Sequence, residues 1–506
     1  MSRIINEDVM SMNPTLEAVV SEPVVNAAVA LDPITGWSAT ELSAAIHAKS
    51  VSCREVMQAY LSRIARINPT VNAIVSLQDE GGLLAQADAR DVQLARGESM
   101  GWMHGMPQAI KDMANAAGLP TTQGSPLLRS FVPREDGLMV ARMRAAGCIV
   151  IGKTNTPEFG MGSHSFNSVF GVTRNPYGLT KTAGGSSGGA AVSLATHMLP
   201  VADGSDFMGS LRNPAAWNNV FGMRPSQGRV PLWPVTDVYL SQLGTEGPMA
   251  RTVQDLARLL TTQAGPDPRI PLSLAHKLDF SAVDGLDCRT IKIGWLNDLS
   301  GYLAFDSGIS GVCEQALKRF EGLGCSVMPT PLGYAPEKVW QAWLVWRRAL
   351  TGARIAPHLL NLQNRAQIKP EALWEHDQFT QLTGAELVAA SVQRTAFYQH
   401  LLSLFERFDY LALPSAQVWP FDVAMRWPQH INGVQMDTYH RWMEVTIYAT
   451  FAGLPAVSIP AGFDARGLPM GLQIIGKPQA DLAVLRLAAA YERVAQEVLT
   501  RRPATR

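Results

Sequence analysis

The stretch Thr182–Pro214, TAGGSSGGAAVSLATHMLPVADGSDFMGSLRNP, constrains the fold more than any other part of the chain. It holds two clusters of small residues, Gly184-Gly185-Ser186-Ser187-Gly188-Gly189 and Gly204-Ser205-Asp206-Phe207-Met208-Gly209-Ser210. Glycine tolerates positive φ and brings no side chain, so such loops let backbone N–H groups converge on one point. A serine held there is placed to act as a nucleophile, with its neighbours' N–H groups forming an oxyanion site. Between the clusters, Ala190–His197 reads as a buried helix and Met198–Ala202 as a strand. A lone GGSSGG run is more often a linker or turn. A phosphate loop is disfavoured because no Lys-Ser/Thr pair follows the glycines. The company of the run turns the reading towards chemistry: a second Gly/Ser loop, and a lysine in Ala109-Ile110-Lys111-Asp112. That lysine ends an apolar, strand-like approach, which would hold it partly out of water.

Five stretches carry a resemblance. They are AIKDM around Lys111, GKTNTPEFGMGS over 152–163, GGSSGG around Ser186, DGSDFMGSLRNPA around Ser210, and GLPAVSIPAGFDARGLPMGLQIIG over 453–476. In this order and spacing they resemble the amidase signature family of serine hydrolases, and the similarity runs from about Ser38 to Glu492. The resemblance implies an α/β fold with a large mixed β-sheet covered by helices on both faces. It implies a Ser–Ser–Lys triad: Ser210 as nucleophile, Ser186 as proton relay after a cis peptide bond, and neutral Lys111 as base. Burial disfavours the ammonium form and lowers a lysine's pKa. The backbone N–H groups of Phe207, Met208, Gly209 and Ser210 would hold the oxyanion. Met113, Gly185, Ser187, Phe207 and Met208 would line the substrate. Where the family commonly has Thr-Gly-Gly-Ser, this chain has Phe207-Met208-Gly209-Ser210. The backbone donors survive that change, so it is read as reshaping the acyl pocket.

Charge is balanced, with 43 basic and 43 acidic residues, so neither a nucleic-acid footprint nor an acidic tail is visible. Cys53, Cys148, Cys288, Cys313 and Cys325 are scattered without a C-x-x-C pair and read as buried small hydrophobes in a reducing, cytoplasmic setting. The ten histidines show neither H-E-x-x-H nor paired Cys/His spacing, so no metal and no cofactor is expected. Residues 1–37 read as an N-terminal arm, and 38–506 as a single catalytic domain. The arm lacks a signal-type apolar core, and its apolar run is broken by Glu22, Pro23 and Asn26, so no membrane span is expected.

Ser38/Glu41 and Ser52/Glu55 are helix-start signals, and the second helix is expected to stop before Pro69. Val140–Ala146, Gly147 and Cys148–Gly152 give the helix–glycine–strand pattern of a wound sheet. Trp340, Trp343 and Trp346 fall on one helix face, as core or as an apolar substrate wall. His104 raises a Ser–His alternative, which no G-x-S-x-G elbow supports. Asp206 and Arg212 read as a structural ion pair rather than substrate ligands.

The expected function is hydrolysis of an aryl or alkyl carboxylic amide through an acyl-enzyme on Ser210, with esters and carbamates served by the same chemistry. The partner is a small amide substrate, and a homodimer is expected from the family. Two alternatives differ in class: the glutaminase component of a transamidation complex, and a non-catalytic ligand-binding relative.

Overall fold

A computed structural model describes residues 32–504. The expected arm therefore lies outside the described residues, except for its end, where Asp32 caps a short helix, Pro33–Gly36. The two capping boxes form as read, on the helices Ala39–His47 and Cys53–Val71. The second helix does not stop before Pro69. It carries the proline in its last turn and ends at Asn72, whose left-handed backbone closes it with a bond from its N–H to the Asn68 carbonyl.

Among the described residues, eight strands form one mixed sheet. Their order is Ser326–Pro329, Lys292–Trp295, Tyr410–Pro414, Pro469–Gly476, Ala456–Phe463, Phe221–Arg224, Thr245–Ala250 and Val201–Asp206. The first three run parallel and every other pair is antiparallel. Helices cover both faces, and two glycines of Pro469–Gly476 show it. Gly471 and Gly476 are an odd number of residues apart, so they face opposite sides of the pleat. A Cβ at Gly471 would lie 2.7 Å from Ala216 in the helix Arg212–Trp217, and one at Gly476 would strike Val484 in the helix Asp481–Val494.

A smaller sheet pairs Pro107–Lys111 with Ile149–Thr154 in parallel, and the latter with Ile74–Val75 in antiparallel. It meets the large sheet along Val201–Asp206. There a side chain takes the place of a ladder bond: Asp203 accepts the Lys111 N–H at 3.0 Å and the Gln108 amide at 3.3 Å. Both Gly/Ser clusters sit on this seam.

The linking helix is Gly188–Ala195, so the GGSSGG cluster runs straight into it. The following strand begins later than expected and extends through Asp206. Gly204, Ser205 and Asp206 are thus strand residues rather than loop residues. Trp340 and Trp343 are fully buried on the helix Pro336–Ile355. Asn432 and Gly433, both at positive φ, turn a hairpin between His430–Ile431 and Val434–Gln435. The five cysteines are buried and unbridged. Among the described residues, no helix is long and apolar enough to cross a membrane.

Candidate active site

The strand Pro107–Lys111 is buried along its whole length and delivers Lys111 into the seam. The Lys111 Nζ lies 2.8 Å from Ser186 Oγ, 2.9 Å from Ser187 Oγ and 2.9 Å from Ser205 Oγ. Its hydrogen-bond partners among the described residues are thus hydroxyls and the Ser205 carbonyl, with no carboxylate. Burial pushes the ammonium down to about 7, against the weaker pull of Asp203, Asp206 and Glu246. A second buried lysine, Lys153, is held differently. Its Nζ donates to the Ala114 carbonyl at 2.5 Å and to Thr121 at 3.0 Å, with Asp112 at 4.0 Å. These partners tie it into the loop that follows Lys111.

The bond between Gly185 and Ser186 is cis, as the resemblance implied. Ser186 and Ser210 are brought to the same place by the two clusters, and the Ser187 N–H donates to the Ser210 carbonyl at 3.2 Å. Ser186 is bonded to Lys111 and not to the Ser210 hydroxyl. Ser187, expected beside the substrate, is fully buried and turned to the lysine.

The loop carrying Ser210 is held by Asp206. Its carboxylate takes the Gly209 N–H at 2.9 Å, the Leu211 N–H at 3.2 Å, and two bonds from Arg212 at 3.0 Å each. Arg212 goes on to the Thr446 carbonyl, Thr450 and Gln473, which ties the loop to the sheet. Burial alone would raise the Asp206 carboxyl, but Arg212 and Arg224 hold it well below the usual carboxylate range. The pair is structural, as read. One expectation is corrected here: the Gly209 N–H is spent on Asp206 and is not free for an oxyanion. Gly209 has a different use. Its φ is +82°, and a Cβ there would lie 2.6 Å from Thr446, so only glycine closes this turn.

Phe207 is half-buried, its ring 5.5 Å from Trp343, with the Arg347 guanidinium 5.6 Å above it. Met208 is buried, with its sulfur 3.8 Å from Arg347. Arg347 is fixed by Glu375 at 2.6 Å and by the Tyr439 hydroxyl at 2.6 Å. A Cβ at Gly160 would meet Met113 at 3.3 Å and Ser186 Oγ at 3.6 Å, so Met113 and Gly160 lie beside that serine. His104 is remote from this chemistry. Its ring accepts the Met100 N–H at 3.2 Å and meets the Arg90 carbonyl at 2.9 Å.

Sequence reasoning missed Ser205, Asp203, Gly160 and the Arg347–Glu375–Tyr439 group. Ser205 and Asp203 had a signal: two polar residues two apart share a face once the strand is carried to Asp206. The others come from distant segments and had none.

This seam gathers three serine hydroxyls around one buried lysine at the edge of a large mixed sheet. The family model described as Amidase matches residues 55–485, and the chain belongs to that family. It is 34% identical over 486 residues to a glutamyl-tRNA(Gln) amidotransferase subunit of Acidothermus cellulolyticus, spanning 91% of this chain and 94% of that protein. It is 33% identical over 463 residues to an acylamidase of Rhodococcus erythropolis, spanning 90% and 95%. The crystal structure of a bacterial aryl acylamidase of the amidase signature enzymes matches with a TM-score of 0.88 and 32% identity, covering 94% of this chain and 100% of that one. The chain is an amide-hydrolysing enzyme.

Proposed function

We propose that this enzyme hydrolyses aryl or alkyl amides through an acyl-enzyme on Ser210, with Ser186 as proton relay and Lys111 as general base. The observation that carries the reading is the Lys111 Nζ, buried and 2.8 Å from Ser186 Oγ. A neutral amine has two protons to donate and one lone pair to accept with. Among its three hydroxyl neighbours it can therefore donate to Ser187 and Ser205 and accept from Ser186. The Ser186 oxygen is then free to take the Ser210 proton as that hydroxyl attacks the amide carbonyl, a contact that tightens when substrate is bound. The tetrahedral oxyanion is held by the N–H groups of Phe207, Met208 and Ser210, since Gly209 donates to Asp206. Collapse expels the amine, which takes the proton back along Ser186 from Lys111. Water then attacks the acyl-enzyme by the same route, releasing the acid.

Phe207, Met208 and Met113 give the acyl site an apolar lining. This supports an aryl or alkyl amide, with esters and carbamates as further substrates. One finding favours a second reading: the 34% identity to an amidotransferase subunit. A glutaminase that works with partner proteins would share the serine–lysine chemistry and differ in substrate.

The test is intact mass after exposure to a serine-directed fluorophosphonate. One adduct is expected on the wild type and none on Ser210→Ala. Adducts on both would move the nucleophile elsewhere, with Ser186 next in line; none on the wild type would favour a ligand-binding relative without turnover.

A further inference from the structure

The Glu246 side chain lies on the face of the sheet that carries the lysine cage. It sits on the strand Thr245–Ala250, directly opposite Ser205 in the antiparallel pair with Val201–Asp206. Residues so opposed share a face, with Cβ atoms about 4.5–5.5 Å apart. Ser205 is the residue whose hydroxyl lies 2.9 Å from Lys111 Nζ. Asp203, two residues back on the same face, accepts the Lys111 backbone N–H. Glu246 is buried, and its carboxylate accepts no hydrogen bond from any described residue.

The charged groups around it come from four elements. Asp203 stands on the paired strand, with Asp206 further along it, and Lys111 at the end of Pro107–Lys111, followed by Asp112. Lys153 stands on Ile149–Thr154, and Arg142 on the helix Leu138–Ala145. Asp206 is already paired with Arg212, and Asp112 takes the Thr122 hydroxyl and backbone N–H. Burial and the Asp203 charge push the Glu246 carboxyl up to about 8, against Lys111, Arg142 and Lys153.

We propose that Glu246 is a positioning residue for the base: as a neutral acid opposite Ser205 it leaves Lys111 unprotonated, and once ionised it holds a proton on Lys111. The inference rests on Lys111 being the base. The two groups compete for one proton. Moving it from the carboxyl to the amine turns an acid–amine pair into a carboxylate–ammonium pair, with no change in net charge and no free lone pair on Nζ. At intermediate pH part of the enzyme is trapped in that inactive form. The carboxyl therefore sets the pH at which the site becomes reactive.

The experiment follows the rate of fluorophosphonate inactivation between about pH 5 and 10 for wild type, Glu246→Gln and Lys111→Ala. A coupled pair titrates in two macroscopic steps, so the wild-type rate should rise in two stages. Glutamine keeps the shape of the neutral acid and cannot ionise. Its profile should show one ionisation, moved to lower pH by about one unit, the size expected for removing a charge at this range. A Glu246→Gln profile that superimposes on the wild type overturns the inference. So does a folded Glu246→Gln that is unreactive at every pH, because the ionised carboxylate would then be required. Should this variant not fold, the wild type decides alone, since a single-ionisation curve there overturns the inference equally. Wild-type reactivity in Lys111→Ala would instead overturn the assignment of the base.

Discussion

Lys111 gains its lone pair as pH rises. Its ammonium loses its proton at about 7 because burial penalises the charge. The unprotonated amine is therefore scarce below that pH and grows above it. kcat/KM for an amide is expected to be low at pH 5, to begin climbing near 7 and to complete its rise in a second stage at higher pH, as Glu246 and Lys111 lose their protons in two coupled steps, measured in buffers of constant ionic strength. A flat profile, or one falling through 7, would mean that Lys111 is not the base. Lys153 shows that burial alone does not make a base. It too is pushed down, to about 8, yet its Nζ is committed to a backbone carbonyl and a threonine and meets no candidate nucleophile. At this scale much of the site was legible. Lys111, Ser186 and Ser210 stood in recognisable motifs, and the structure brings their segments together. The backbone donors of residues 207–210 were legible only as a group, because the use of the Gly209 N–H follows from where the Asp206 carboxylate points.

The helix Pro336–Ile355 brings a buried charge beside Phe207 and Met208. Arg347 and Glu375, the latter on Pro370–Phe379, form an ion pair at 2.6 Å with both side chains almost wholly buried. Tyr439 closes the group with a 2.6 Å bond to Glu375. Removing one partner of such a pair leaves the other charge buried and uncompensated, at a cost of about 3–5 kcal/mol, whereas replacing both with apolar groups is often neutral. Arg347→Met is therefore expected to lower the urea midpoint strongly, and Arg347→Met with Glu375→Leu to recover much of the loss. A double variant no better than the single one would show that the pair itself holds the two helices together. Since Arg347 also lies over Phe207 and beside Met208, the single variant should weaken binding of apolar amides as well. The tryptophan stripe on this helix was legible from its three-residue spacing. That Trp343 would pack on Phe207 was not, because the contact joins segments far apart in the chain.

At the scale of the whole molecule the prediction concerns substrate. On the proposed reading Phe207, Met208 and Met113 face the acyl group, and Arg347, the cation beside Phe207 and Met208, is already paired with Glu375. A charged substrate such as glutamine would then be buried without a partner, which is costly, so an anilide or alkyl amide is favoured. Purified enzyme is expected to release aniline from acyl anilides and little ammonia from glutamine, read by a coupled ammonia assay. Glutamine turnover, rising when an amidotransferase partner is added, would establish the transamidation reading instead.

The sequence by itself determined the family, the α/β class and the identity of the lysine and serines, because these lie in short motifs where chemistry fixes both residue type and order. It also determined the helix starts at Ser38 and Ser52, where a cap and its partner are three residues apart. Tertiary structure decided what depends on groups distant along the chain. It turned Ser187 and Ser205 towards the lysine and set Glu246 opposite Ser205. For Ser205 and Glu246 this is a matter of which strand pairs with which and in what register. A register shift of one residue would separate the two onto opposite faces.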